Sequence, residues 1–149
     1  MRKIKGISIV LFFISSKLLS QGHIEDIKNQ EYLKYKNAVN CNGEPGDNLS
    51  ERICANLGFQ KSDSLLTLVY DSLLVLAKKS EYKELTQKIV KMQNTWRLFR
   101  DQHCAVIYDS FEGCGGCHQR AIDYLYCLTE LTYNRIKELR GLKQKLFGL

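Results

Sequence analysis

The chain has 149 residues, of which 22 are Lys or Arg and 16 are Asp or Glu, and its formal net charge is +6. Positions 1–20 hold four of the basic residues and none of the acidic ones, so the excess over positions 21–149 falls to +2. Because neither a basic stripe nor interleaved aromatic residues are present, we expect no nucleic acid and no anionic membrane as a partner.

Positions 1–20 have the pattern of an export signal. A basic head at 2–5 precedes an almost entirely apolar run at 6–16, which is too short to span a bilayer. We expect cleavage after Ser20, with an uncleaved signal anchor as the alternative. No cysteine lies in this segment, which argues against a lipoprotein anchor. The sequence therefore predicts an exported protein, periplasmic or extracellular, without a stable membrane anchor once the signal is removed.

Residues 21–40 carry scattered apolar side chains without a sustained face, and they are predicted to form a short N-terminal helix or arm. The turn-rich stretch CNGEPGDN follows, and residues 41–149 are expected to form one domain with a modest core.

A first long helix is predicted from a cap at Asp47 or Asn48 towards Lys79. Gly58 interrupts its apolar pattern at a cost of roughly 1 kcal/mol relative to alanine, and it would permit a kink or a close helix contact. Ser80 is the expected N-cap of the next helix, which would complete a helical hairpin. The predicted inward positions of the first helix are Ile53, Leu57, Phe59, Leu66, Val69, Tyr70, Leu73 and Ala77.

The second helix is predicted to hold the only tryptophan, Trp96, at the centre of its buried stripe. The stripe has helical spacing, and His103 fits its continuation. It consists of Leu85, Ile89, Met92, Trp96 and Phe99.

After Cys104 the helical pattern lapses into a glycine-rich loop, and a last helix is predicted to start near Gln119 or Ala121. Gly141 would weaken or end it. No period-two run of β-branched residues occurs after position 20, so we expect an all-α fold, a disulfide-stapled bundle of three long helices. The inward positions of the last helix would be Ile122, Leu125, Leu128, Thr132, Ile136 and Leu139.

Three motifs occur in order along these helices. The central one, QxxWxxxRDxxC, consists of Gln93, Trp96, Arg100, Asp101 and Cys104. The upstream one consists of Cys54, Ala55, Phe59, Asp63, Leu66 and Tyr70. The downstream one, CxxxLTxxRxxEL, consists of Cys127, Leu131, Thr132, Arg135, Glu138 and Leu139.

In this order the motifs resemble the LprI-like family, small exported domains named for lysozyme inhibition, over about Asn40 to Leu142. The chain departs from the family pattern at Thr67, where Asn is usual, and in its CGGC insert. The resemblance implies a binding module whose protein partner is a lysozyme.

Six cysteines behind an export signal indicate a disulfide framework. The helix layout favours one bridge between Cys41 and Cys54 and another between Cys104 and Cys127. The family's four cysteines are used in the same way. On the chain-entropy account each closed loop contributes on the order of 3 kcal/mol.

The remaining pair lies in CGGCH, formed by Cys114, Cys117 and His118. We favour a local disulfide with a structural role. The same residues fit covalent attachment of haem c, which needs two thiols and an adjacent imidazole. A zinc site and a redox-active thiol pair are further alternatives, although the βαβ context of thiol oxidoreductases is missing.

Asp63, Arg100, Asp101 and Arg135 are the other candidates for chemistry. Two carboxylates could act as an acid and a base, but the arginines beside them favour ion pairs instead. We therefore predict a partly buried ion-pair network that joins the three helices, and we identify no catalytic site and no enzyme.

The loop 109–118 is the predicted contact with a lysozyme. A lysozyme cleft is concave, so an inhibitor needs a projecting element. Asp109 and Glu112 would suit the basic surface that many lysozymes present. Two other roles stay open, a small c-type haem electron carrier and an envelope interaction protein without inhibitory activity.

Overall fold

The computed structural model describes residues 27, 32–43, 46–111, 114 and 117–148. A 3-10 helix, Leu33–Ala38, precedes three long helices: α1, Asn48–Lys79; α2, Leu85–Asp109; and α3, His118–Phe147. The described residues contain no strand, so the predicted all-α bundle of three long helices is confirmed. The predicted export signal lies outside the described residues. Within them, no helix is both long and apolar enough to cross a membrane.

Helix α1 begins at the predicted cap. The Oδ1 atom of Asp47 accepts hydrogen bonds from the backbone N–H groups of Leu49 and Ser50, each at 2.9 Å. These two donors have no partner inside the helix, so the carboxylate supplies one. The structure thus selects Asp47 over Asn48 as the N-cap.

The prediction that Ser80 caps α2 is wrong. Ser80 is the C-cap of α1, where its N–H donates to the carbonyl of Ala77 at 3.2 Å. A turn follows, in which the N–H of Leu85 donates to the carbonyl of Tyr82 at 2.9 Å. This turn delays the start of α2 by several residues.

Helix α3 holds the bundle together. It packs along both other helices, and its packing against α1 is the most extensive in the molecule, whereas α1 and α2 contact each other only sparsely. The predicted pairing of α1 with α2 as a hairpin is therefore correct in chain order but not in packing. The short links place the start of α1, the end of α2 and the start of α3 at one end, called here the loop end.

The core consists of two apolar clusters. All six predicted inward positions of α3 are buried, and five of the eight in α1 are buried while the other three are partly buried. The cluster nearer the loop end is Ile27, Ala55, Phe59, Cys104, Tyr108, Ala121, Tyr124, Leu125, Cys127 and Leu128. The other is Leu66, Leu73, Ala77, Ile89, Ile136 and Leu139.

The predicted stripe of α2 is wrong in its second half. Phe99 is 52% exposed, His103 is exposed and Trp96 is only partly buried. Each residue turns the helix by about 100°, so Phe99 lies about 60° from Trp96 and beyond the edge of the buried face. The buried positions of α2 are Ile89, Gln93, Arg100, Cys104 and Tyr108.

Two glycines also differ from expectation. A Cβ added at Gly58 would meet no atom within 4 Å, so the close helix contact is absent. Helix α3 continues past Gly141 to Phe147 and ends at Gly148, whose φ of 70° is the left-handed conformation that glycine adopts readily.

Candidate functional site

Three disulfides join all six cysteines, each of which lies in the described part of the chain. Cys41 pairs with Cys54, Cys104 with Cys127, and Cys114 with Cys117, at Cα separations of 5.4, 5.7 and 5.5 Å. These are the pairs expected from the sequence. The first ties the segment before α1 to that helix, the second joins α2 to α3, and the third lies within the loop.

The CGGCH segment meets the start of α3. Cys117 is the N-cap of that helix, and His118 is its first residue. The Nη1 atom of Arg52 lies 3.5 Å from Nδ1 of His118, and the ring of Tyr32 meets the imidazole edge-on at 5.8 Å. No group of three metal-ligating side chains occurs among the described residues.

Arg100 lies at the centre of the signature residues. Its Nη1 atom donates to Oδ1 of Asp63 at 2.8 Å and to the hydroxyl of Thr132 at 3.2 Å, and its Nε atom donates to Asp101 at 2.9 Å. The arginine side chain is 6% exposed, while the two carboxylates are 37% and 35% exposed. One guanidinium therefore binds acceptors from α1, α2 and α3.

Arg135 forms the second half of this cluster. Its Nε atom donates to Oε1 of the buried Gln93 at 3.1 Å, and its Nη1 atom donates to Glu138 at 2.7 Å. The guanidinium carbons of Arg100 and Arg135 lie 5.3 and 5.5 Å from the ring of Trp96. The indole therefore links two buried cations by cation–π contact, and the signature motifs converge on one structural cluster.

At the loop end, Asp109 is half exposed and lies beside Arg120. The Nη2 atom of Arg120 is 3.5 Å from Oδ1 of Asp109, and its Nε atom donates to the carbonyl of Tyr108 at 2.6 Å. The guanidinium also covers the ring of Tyr108 at 3.6 Å. The charge of Asp109 is thus partly compensated within the protein. Glu112 lies outside the described residues.

Three more carboxylates occupy this end, and neutral groups hold them. Glu51 accepts from the phenol of Tyr126 at 3.3 Å, and Asp123 accepts from the amide of Gln119 at 2.8 Å. Asp47 accepts from backbone N–H groups and from a serine hydroxyl. Burial, followed by the nearby charge of Glu51, raises the pKa of Tyr126.

Sequence reasoning missed Glu51 and Asp123 as candidates for the partner contact. They lie on α1 and α3, far apart in the chain, and only the parallel packing of these helices at their starts brings them to one end. Helical patterning along a single segment carries no signal of that alignment.

The fold and these residues define a class: a disulfide-stapled three-helix domain with a buried arginine cluster and an acidic loop end. The family described as lysozyme inhibitor LprI matches residues 41–139. The chain belongs to that family, which confirms the resemblance seen in the motifs. No curated protein matches the chain, and no solved structure does. The family and the disulfides together indicate an exported protein with a role like that of a lysozyme inhibitor.

Proposed function

We propose that this protein binds a lysozyme in the periplasm or outside the cell and blocks its cleft with the loop end. The observation that carries the proposal is the family match over residues 41–139. The geometry of the loop end supports this choice of contact surface in two respects, rigidity and charge.

Rigidity comes from the disulfides. The bridge between Cys104 and Cys127 closes the base of the segment that links α2 to α3, and the bridge between Cys114 and Cys117 shortens its span. A cross-link between the flanking helices limits the conformations of the connecting segment in the free protein, so less of the binding free energy would be spent on ordering.

Charge comes from carboxylates that are not neutralised by the protein itself. Glu51 and Asp123 accept hydrogen bonds from neutral donors, and neither forms an ion pair with a described residue. Complementary charge speeds association with a basic enzyme and weakens as salt is added. Asp109 contributes less than these two because Arg120 lies beside it.

The proposal is tested by measuring inhibition of a basic lysozyme on a cell-wall substrate. Replacing Glu51→Gln together with Asp123→Asn is expected to weaken inhibition roughly tenfold, with the larger loss at low salt. The double change Asp109→Ala and Glu112→Ala should weaken it in the same direction.

The matched control removes the same number of charges elsewhere, through Asp71→Asn in the middle of α1 and Glu81→Gln at the opposite end of the bundle. This variant should inhibit as well as the natural protein. Equal inhibition by all three folded variants would exclude the loop end as the contact surface. A natural protein that inhibits no lysozyme would instead favour an interaction role in the envelope without inhibitory activity.

A further inference from the structure

A groove of about 520 Å³ runs along the exposed side of α2, away from the loop end. Arg135 of α3 closes one side of it, and the other lining residues used here belong to α2. They are Lys88, Lys91, Met92, Trp96 and Phe99. This surface is called the α2 groove.

The floor of the α2 groove is an apolar stripe that the core covers only in part, since Met92 and Trp96 also pack against the second core cluster. Met92, Trp96 and Phe99 are four and three residues apart, so they share one helix face. Phe99 is 52% exposed, and Met92 and Trp96 are partly buried. Apolar surface of this kind, bordered by polar residues, is typical of an interaction site.

Two buried hydrogen-bond donors beneath the groove have no acceptor among the described residues. Arg135 is 9% exposed and uses its Nε and Nη1 atoms, but its Nη2 atom meets no acceptor among the described residues. The Nε2 atom of Gln93, which is 1% exposed, also meets none there. Buried donors of native proteins are nearly always paired, and a cationic donor without an acceptor destabilises its site.

The rim of the groove carries positively charged side chains, which favour an acidic occupant, as Arg135 does. Lys91 is exposed, and Lys88 lies beside it with Glu84 at 3.1 Å as its partner. Glu138 compensates part of the charge of Arg135 through the other guanidinium nitrogen. An occupant that brings a carboxylate beside Arg135 and Lys91 would compensate the positive charge that remains there.

We infer that the α2 groove binds an acidic segment of a partner polypeptide, with a carboxylate against Arg135 and apolar side chains along the stripe. The groove follows about three helical turns, roughly 16 Å, and it is open along its length, which suits an extended chain. This site is separate from the proposed lysozyme contact, so either can fail without the other.

Trp96 makes the test direct, because it is the only tryptophan in the chain and it lines the groove. The full protein is titrated with acetyl-Leu-Glu-Leu-Glu-Leu-amide while tryptophan emission is recorded. The emission is expected to shift and saturate. The same peptide with Gln in place of Glu should bind at least tenfold more weakly, and added salt should weaken the Glu peptide.

Surface variants locate the binding without threatening the fold. Lys91→Glu is expected to weaken binding of the Glu peptide at least tenfold. Lys61→Glu, the same change at an exposed position of α1, should leave this binding unchanged. Phe99→Ala should weaken it about fivefold, and Leu68→Ala, which removes an apolar side chain that is 68% exposed on α1, should not.

Three results would overturn the inference. The first is that the Glu peptide causes no emission shift. The second is a loss of specificity, in which the Gln peptide binds as tightly as the Glu peptide or Lys61→Glu weakens binding as much as Lys91→Glu. The third is a shift that follows protein concentration without any peptide, since that would place a second copy of the chain in the groove. Retained lysozyme inhibition in Lys91→Glu would keep the two proposals distinct.

Discussion

At the scale of single residues, Arg100 decides how the helices are oriented. A guanidinium taken out of water is costly unless its donors meet acceptors. Here Asp63, Asp101 and Thr132 meet them from three different helices. The cluster therefore fixes the rotation of each helix about its axis more than it adds to stability.

The coupling between Arg100 and Asp63 can be measured with a double-mutant cycle. Urea unfolding of Arg100→Ala, Asp63→Ala and the double variant is expected to give a coupling of about 1 kcal/mol, because Asp63 is 37% exposed and water screens part of the attraction. The exposed pair of Glu84 and Lys88 serves as the control and should couple by about 0.3 kcal/mol. A coupling no larger than the control would contradict a structural role for the buried pair.

The sequence predicted the four charged residues Asp63, Arg100, Asp101 and Arg135 of this cluster, but not that Thr132, Gln93 and Glu138 also take part. The spacing of Asp63, Arg100 and Arg135 on separate helices indicated a network. That Arg135 turns to Gln93 and leaves Asp63 to Arg100 depends on helix rotations, which no local pattern encodes. Trp96 likewise was expected inside the core, and it is only partly buried, with the guanidinium groups of Arg100 and Arg135 beside its ring.

At the scale of elements, the N-cap residue Asp47 stabilises the start of α1. The backbone N–H and then the hydroxyl of Ser50, together with other nearby groups, hold the pKa of Asp47 below its ordinary value of 3.8. A lowered pKa in the folded state means that the ionised carboxylate stabilises the fold. This contribution is fully present above the unfolded pKa and is lost as the pH falls through the folded pKa.

The cap predicts a pH-dependent difference between two variants. Asp47→Asn keeps the hydrogen-bonding cap but cannot ionise, so its urea midpoint should lie below that of the natural protein at pH 7 and approach it as the pH falls through the lowered pKa of Asp47. Asp47→Ala, which loses the cap altogether, should be lower than Asp47→Asn at both pH values. A difference between the natural protein and Asp47→Asn that does not change with pH would contradict this account.

The sequence pattern predicts the buried positions of α3 better than those of α2. Helix α3 packs between two partners, so its apolar face is broad and all six expected positions are buried. Helix α2 packs mainly against α3, so its buried face is narrow and includes Gln93 and Arg100. The predicted apolar stripe of α2 is therefore correct at Ile89 and wrong at Phe99, which lies in the exposed α2 groove.

At the scale of the whole molecule, the disulfides should differ in importance. Replacing Cys41 and Cys54 with alanine, or Cys104 and Cys127, is expected to lower the free energy of unfolding by about 3 kcal/mol, because each bridge closes a loop of the unfolded chain. The bridge between Cys114 and Cys117, only three residues apart, should contribute least. Urea unfolding of the three double variants checks this order.

The variant that lacks Cys104 and Cys127 should also lose packing, since Cys104 is fully buried between α2 and α3. A peptide map of the natural protein provides the control, and it should show the three pairs described and no free thiol. A loss for the Cys114 and Cys117 variant as large as for the other two would contradict the chain-entropy explanation.

The dominance of α3 in the packing has a consequence for the order of folding. Leu66 and Leu73 of α1 cannot be fully buried before α3 arrives, since α1 and α2 contact each other only sparsely. A chain that emerges from an export channel with α1 first would remain open until its last helix follows. During that interval Cys41 and Cys54 can already meet, because they are 13 residues apart, whereas Cys104 must wait for Cys127. Oxidation would then proceed in chain order, and the bridge between α2 and α3 would be the last to form.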